Sequence, residues 1–210
     1  MKIGIIGSGS MGGSLAKIWA NKGHKILITS TSPEQTKQVV ESIGKNVIMG
    51  TTHEAVHFGD AVVFAFPYSS LEDVISKGGS FEGKVIIDLI NPLTDDALGL
   101  LMGHSTSAAE EIAKLLPKAK IVKAFNTIAS PVLQSQQGVA FGGIAPDVYY
   151  CGDDDRAKAL VKPLIEDAGF EAIESGPLSN ARYLEPIAEF VIQLAFGGMG
   201  ADIAVKVLRR

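Results

Sequence analysis

The chain has 210 residues, 46% hydrophobic and 20% charged, with a net charge of −4. That length suits one or two domains with a full core, and the charge gives no reason to expect nucleic acid or an anionic membrane as partner. The longest apolar run falls far short of the roughly 18 residues that suggest a membrane span, and the single cysteine, Cys151, excludes an internal disulfide framework.

The first element is a short apolar strand over Lys2–Ile6, followed at once by Gly7, Ser8, Gly9, Ser10, Met11 and Gly12. This is G-x-G-x-x-G between a strand and a helix over residues 12–22, the setting in which the motif marks a dinucleotide site. Gly7 makes the tight turn, and Gly9 has no Cβ to keep a pyrophosphate off the backbone. Gly12 lets the helix approach the strand, and the helix N-terminus offers free N–H groups to the phosphates. A glycine turn in some other α/β protein is the plain alternative.

Strand-like and helix-like segments then alternate, as in a parallel sheet covered on both faces. Further strands are expected at 25–30, 46–49, 61–65, 84–88 and 121–124, with helices at Pro33–Ile43, 71–77 and 107–116. Two later strands, 147–151 and Glu171–Glu174, flank a helix at 155–168. A final helix is expected from about Ser179, a good N-cap residue, to Phe196. The fold class is α/β: a Rossmann-type, doubly wound, mostly parallel sheet with a small C-terminal α/β extension. Residues 1–146 form the dinucleotide-binding domain, and 147–210 pack on the same unit and complete the acceptor site. The stretch 134–146 reads as a long glycine-bearing loop.

The second strand decides which dinucleotide is bound. An NAD-specific fold usually ends it in Asp or Glu to hold the ribose hydroxyls. Here it ends in Ser30, Thr31 and Ser32, with no carboxylate. Hydroxyls suit a 2′-phosphate, and Ser32 followed by Pro33 reads as an N-cap with proline at the first helical position. NADP is therefore expected ahead of NAD. The plainer reading is that these hydroxyls only cap the helix.

Three more strand ends should line the same crevice. The fourth strand runs into Phe66, Pro67 and Tyr68, the fifth into Asn91 and Pro92, and the sixth into Ala124, Asn126 and Thr127. Asn91 and Asn126 can bond a carboxamide or ribose hydroxyl, or simply satisfy turn backbone. Lys123 reads as a solvated or backbone-bonding residue rather than a catalytic acid. Asp153, Asp154 and Asp155 read as a polar loop with an acidic helix start. Tyr149, Tyr150 and Cys151 read as a buried strand. His24, His53, His57 and His104 show no metal-ligand spacing, so no metal is expected.

With these residues in hand, the chain resembles the NADPH:coenzyme F420 oxidoreductase family. It is similar also to the cytosolic reductase domain of six-transmembrane epithelial metalloreductases. The resemblance spans nearly the whole length. It rests on the residue 7–12 fingerprint, the run from Val122 through Asn126 to Thr127, Cys151 to Asp155, Gly176 to Arg182, and Gly198, Met199 and Gly200. It implies hydride transfer between NADPH and a deazaflavin, with coenzyme F420 or FMN/FAD as small-molecule acceptor and a homodimer as assembly. It also implies that Gly198, Met199 and Gly200, with Thr127, border that acceptor. The family typically has arginine where Thr31 and Ser32 stand, and Asn126 matches the metalloreductase domain better than the deazaflavin enzymes.

Such chemistry asks the protein mainly to hold two rings about 3–3.5 Å apart without water. That agrees with the lack of any convincing acid–base constellation in the sequence. Two other readings stay open: a hydroxyacid dehydrogenase or imine reductase relative, and a non-catalytic NADP-binding sensor. The former usually needs a sizeable helical domain after the Rossmann unit. One cysteine and a basic, apolar start that reads directly into the first strand, with no signal peptide, lead to a cytoplasmic expectation.

Overall fold

The computed structural model describes residues 1–135 and 141–208. The N-terminal half alternates β1 (Lys2–Ile6), α1 (Ser10–Asn21), β2 (Lys25–Thr29), α2 (Pro33–Ile43), β3 (Val47–Met49), α3 (Thr52–Phe58), β4 (Ala61–Phe64) and α4 (Leu71–Gly78). There follow β5 (Val85–Asp88), α5 (Ala108–Leu115), β6 (Lys120–Lys123), α6 (Ser130–Gln134), β7 (Asp147–Gly152), α7 (Asp155–Asp167), β8 (Glu171–Glu174) and α8 (Ala181–Leu194). The strands form one sheet in the order β3-β2-β1-β4-β5-β6-β7-β8. Every pairing is parallel except that of β6 with β7.

The strand sequences explain this layering. Ile3 and Ile5 point into one core and Ile6 into the other, because successive side chains leave opposite faces of a strand. One face is covered by α1, α6 and α7, whose Leu15, Trp19, Leu133 and Val161 are fully buried. The other is covered by α3, α4, α5 and α8 through Val56, Val74, Ile112 and Leu184. Trp19 adds a polar anchor, its indole N–H donating to the Leu164 carbonyl of α7 at 2.9 Å.

The expected doubly wound sheet is present, and the segment from 147 onward extends it. Two short helices were not anticipated. α3 is only seven residues long, too short for apolar periodicity to show. Its signal is the capping box of Thr51 and Glu54, in which each side chain accepts the other's backbone N–H. α6 is shorter still, with proline near its start. The last helix begins at Ala181 rather than 179, because Leu178–Asn180 closes as a 3₁₀ turn. The Asn180 side chain there donates back to the Ser175 carbonyl at 2.6 Å. The long loop expected at 134–146 falls partly outside the described residues, which omit 136–140.

Tyr149, Tyr150 and Cys151 are buried in β7, as expected, though the strand is buried on both faces rather than on one. Burial pushes the Cys151 thiol up to about 12, which leaves it protonated and unreactive. Asp154 is the N-cap of α7, accepting the Ala157 amide at 2.9 Å, and Asp153 accepts the Leu178 amide at 2.8 Å. Asp153 and Asp154 are thus committed to backbone, while the exposed Asp155 pairs with Lys158 at 3.0 Å. Among the described residues no helix is long and apolar enough to cross a membrane, and no three His, Cys, Asp or Glu side chains group as a metal would need.

Backbone packs against backbone between β1 and α3. A Cβ on Gly4 would stand 2.0 Å from the Ala55 carbonyl oxygen. Gly4→Ala is expected to cost about 2 kcal/mol through overpacking, lowering Tm by roughly 4–8 °C. A thermal melt matching the unaltered protein would show that α3 can move aside.

Candidate functional site

The chain order reverses direction between β1 and β4, so their carboxyl ends frame a crevice, as in other doubly wound sheets. The turn after β1 is fixed by backbone contacts too close for side chains. Gly7 has φ +115°, and a Cβ there would meet the Ala65 carbonyl oxygen at 2.0 Å. A Cβ on Gly12 would meet the Gly7 carbonyl oxygen at the same distance. A Cβ on Gly9, by contrast, would have nothing within 4 Å. The cradle therefore opens at its middle glycine, which is the N-cap of α1.

The amides of Ser10, Met11 and Gly12 lack partners one turn back in the helix, as first-turn amides must, and no acidic residue sits in that turn. The helix start presents a partial positive charge to an anion. Two clefts meet here. One, of about 810 Å³, is lined by Gly7, Ser8, Gly9, Ser30, Thr31, Phe66 and Pro67. The other, of about 770 Å³, shares Ser8 and Gly9 and adds Ser10. Met11 and Tyr68 instead pack partly buried against the two cores.

The β2–α2 connection is built from hydroxyls. Ser32 caps α2, accepting the Gln35 amide at 3.4 Å, with Pro33 in the first turn. Ser30 sits at the strand end, 2.8 Å from Ser8 and 2.8 Å from Thr36, whose hydroxyl also reaches Ser8 at 3.0 Å. Thr31 is exposed beside them. Thr36 carried no sequence signal; only the turn of α2 brings it beneath the strand end.

A second group gathers at the ends of β5 and β6. Asn91 donates to the Asn126 carbonyl at 2.9 Å, and Asn126 donates to Asn91 Oδ1 and to the Leu184 carbonyl, both at 3.0 Å. Both Asn126 amide donors and one of Asn91 are thereby spent on each other and on backbone. Asn126 Oδ1 and the buried Thr127 hydroxyl have no protein partner among the described residues. Pro92 and Ala124 are buried beside them. Phe125, between Ala124 and Asn126, is held at φ +63°. Its ring is locked edge-on to Trp19 and Phe170, at 6.0 and 6.3 Å between centroids. A bulky residue in the left-handed region is strained, and such strain gathers where geometry is functional.

Lys123, expected to be solvated or backbone-bonding, is not solvated, and it does bond backbone, within a buried ion cluster. It is fully buried, 2.9 Å from Asp88 and 2.8 Å from Glu185, and it also bonds the Ile90 carbonyl. Burial alone would lower its pKa, but the two carboxylates raise it, so it stays charged. Burial raises the pKa of Glu185 against the pull of Lys123. Glu185 also accepts the Ala108 and Ala109 amides at the start of α5, at 2.9 and 3.2 Å. The cluster ties α8 and α5 to the ends of β5 and β6. A signal for Glu185 existed: it falls in the buried stripe of Ala181, Leu184, Ala188 and Val191, where a carboxylate needs a partner.

Gly198, Met199 and Gly200 lie on an exposed turn after α8 and line neither cleft. Gly198 and Gly200 have φ +108° and +73°, so glycine there serves the turn itself.

The family model for coenzyme F420-dependent NADP oxidoreductases matches residues 2–92. The F420-dependent NADP reductase of Methanothermobacter thermautotrophicus is 30% identical, over 99% of this chain and 94% of that protein. Metalloreductase STEAP3 of Rattus norvegicus is 33% identical over 89% of this chain, which spans only 36% of the metalloreductase. The crystal structure of a protein from Arthrobacter sp. FB24, assigned as an F420-dependent NADP reductase, superposes over the full length of both chains with a TM-score of 0.89 at 27% identity. Fold, glycine cradle and these likenesses define an NADP-dependent oxidoreductase. More particularly, the chain belongs to the family of F420-dependent NADP reductases.

The open side of Gly9 gives the sharpest test of the cradle. Gly9→Ala places a methyl in empty space, so Tm is expected to stay within about 2 °C, since fold contacts are unchanged. NADPH affinity is expected to fall at least about tenfold by titration, because the methyl takes the room of a phosphate oxygen. Unchanged affinity would remove Gly9 from the phosphate site.

Proposed function

We propose that this protein transfers hydride between NADP(H) and coenzyme F420, or a flavin-like acceptor such as FMN or FAD. The observation that carries the reading is the open berth at Gly9, framed by two glycines that cannot take a side chain. In this reading the pyrophosphate rests on the amides of Ser10 to Gly12. The ribose phosphate lies against the Ser30 to Ser32 loop. The nicotinamide extends past Phe66 and Pro67 toward the strand ends of β5 and β6.

When bound, the nicotinamide supplies the hydride, and the deazaflavin or flavin ring accepts it. The chain's own work is orientation and exclusion of water. Asn126 Oδ1 and the Thr127 hydroxyl, buried without partners, are the kind of groups a carboxamide satisfies with one donor and one acceptor. Phe66, half-buried and tilted against Phe64 at 5.0 Å between centroids, gives the cleft an apolar wall. Only the family resemblance assigns Gly198, Met199 and Gly200 to the acceptor, since they lie outside both clefts.

Mixing the protein with NADPH and coenzyme F420, FMN or FAD in turn, and following loss of NADPH absorbance, tests the reading. Turnover fastest with F420 is expected. Tight NADPH binding without turnover on any acceptor would favour a nucleotide-binding sensor instead.

The same reading includes a homodimer through the outer face of α8, where Tyr183 and Phe190 are 61% and 58% exposed. Light scattering is expected to give twice the chain mass at micromolar concentration. A monomer at all concentrations would remove the dimer.

A further inference from the structure

The dinucleotide selectivity of the site rests on how the hydroxyls at the β2 end are spent. Ser30 stands where NAD-specific folds place a carboxylate. Its oxygen accepts from Ser8 Oγ at 2.8 Å and from the Ser32 amide at 3.1 Å, which fills both lone pairs. Its proton goes to Thr36 Oγ1 at 2.8 Å or to the Ser32 carbonyl at 3.1 Å. Thr36, only 1% exposed, in turn reaches Ser8 and the Ser32 carbonyl, both at 3.0 Å. Ser30 therefore has neither a free donor for a 2′-phosphate nor a free acceptor for a 2′-hydroxyl.

The surrounding charges do not restore a preference. No Lys or Arg occurs between Lys25 and Lys37, and Lys37 is exposed and faces Glu41 at 3.8 Å. Across the cleft Lys77 is paired with Asp73 at 2.8 Å, and Glu54 is bound to Thr51. Glu34 lies in the first turn of α2, where it offsets the pull of that helix end on a phosphate.

We infer that the Ser8–Ser30–Thr36 triad, neutral and saturated, leaves only the uncharged Thr31 hydroxyl to read the ribose, so that the enzyme accepts NADH as well as NADPH. Thr36 is the positioning residue of this arrangement: almost fully buried at the floor of the cleft, it joins the glycine loop, the end of β2 and the start of α2. The inference rests on the proposed placement of the dinucleotide. It goes beyond that reading, because hydride transfer to F420 would hold for an enzyme strictly selective for NADPH.

Titrating the full chain with NADPH and with NADH, and measuring kcat/KM for each, tests it. The two values are expected within roughly 30-fold of each other, the range that one or two neutral hydrogen bonds supply. A larger ratio, with both dinucleotides binding, would overturn the selectivity inference and leave the site in place. Failure of both to bind would overturn the site as well. Thr31 is exposed, so replacing it spares the fold. Thr31→Arg is expected to move the ratio at least about tenfold toward NADPH through a charged bond to phosphate. Thr31→Glu should move it about as far toward NADH. Ratios unmoved by both variants would refute a ribose site at this loop. For Thr36, Thr36→Val is expected to weaken both dinucleotides about tenfold, and Thr36→Ser to restore them. Full affinity in the valine variant, or no recovery in the serine variant, would remove the positioning role.

Discussion

The site depends on three places where backbone touches backbone with no room for a Cβ. Gly4 against Ala55, Gly7 against Ala65 and Gly12 against Gly7 would each bring a methyl to 2.0 Å from a carbonyl oxygen. These contacts draw α3, β4 and α1 onto β1 and leave a single opening, at Gly9. Close packing is what makes the opening specific: an anion that enters meets first-turn amides rather than side chains. The rest of the molecule extends a scaffold around that berth.

Distal to it, the ends of β5 and β6 are held by charge and by a strained residue. Lys123, Asp88 and Glu185 are buried together, an arrangement worth little as net stability but costly to break, by about 3–5 kcal/mol when one partner is lost. Its use here is placement. Glu185 ties α8 to the start of α5, and Arg182 adds a two-pronged bond to Glu110 at 2.9 and 2.6 Å. With α8 fixed, the Leu184 carbonyl receives Asn126. Asn126 and Thr127 are thus held in one arrangement at the end of β6 while Phe125 bears the unfavourable φ.

Polar groups on this protein divide into spent and unspent. The Ser8, Ser30 and Thr36 hydroxyls, the Asn91 and Asn126 amides and the acidic run at 153–155 all satisfy the chain itself. Asn126 Oδ1, the Thr127 hydroxyl and the first-turn amides of α1 are among the groups near the strand ends that the chain leaves unpartnered. A hydroxyl at a ribose-reading position is therefore not evidence of ribose reading until its partners are counted.

Amino-acid order alone determined the doubly wound sheet, the glycine turn, the cap at Ser32 and the buried strand at Tyr149 to Cys151. Each of these depends on neighbours within about a turn or a strand of one another, where period and residue type carry the information. It did not determine that Lys123 is buried, that Thr36 locks Ser30, or that Asn91 and Asn126 bond one another. The first and last of these join residues 62 and 35 positions apart, and Thr36 closes on Ser30 together with Ser8, 28 positions away. Whether a polar side chain meets water or a partner is decided only when distant segments come together, because desolvation is a property of the assembled interior.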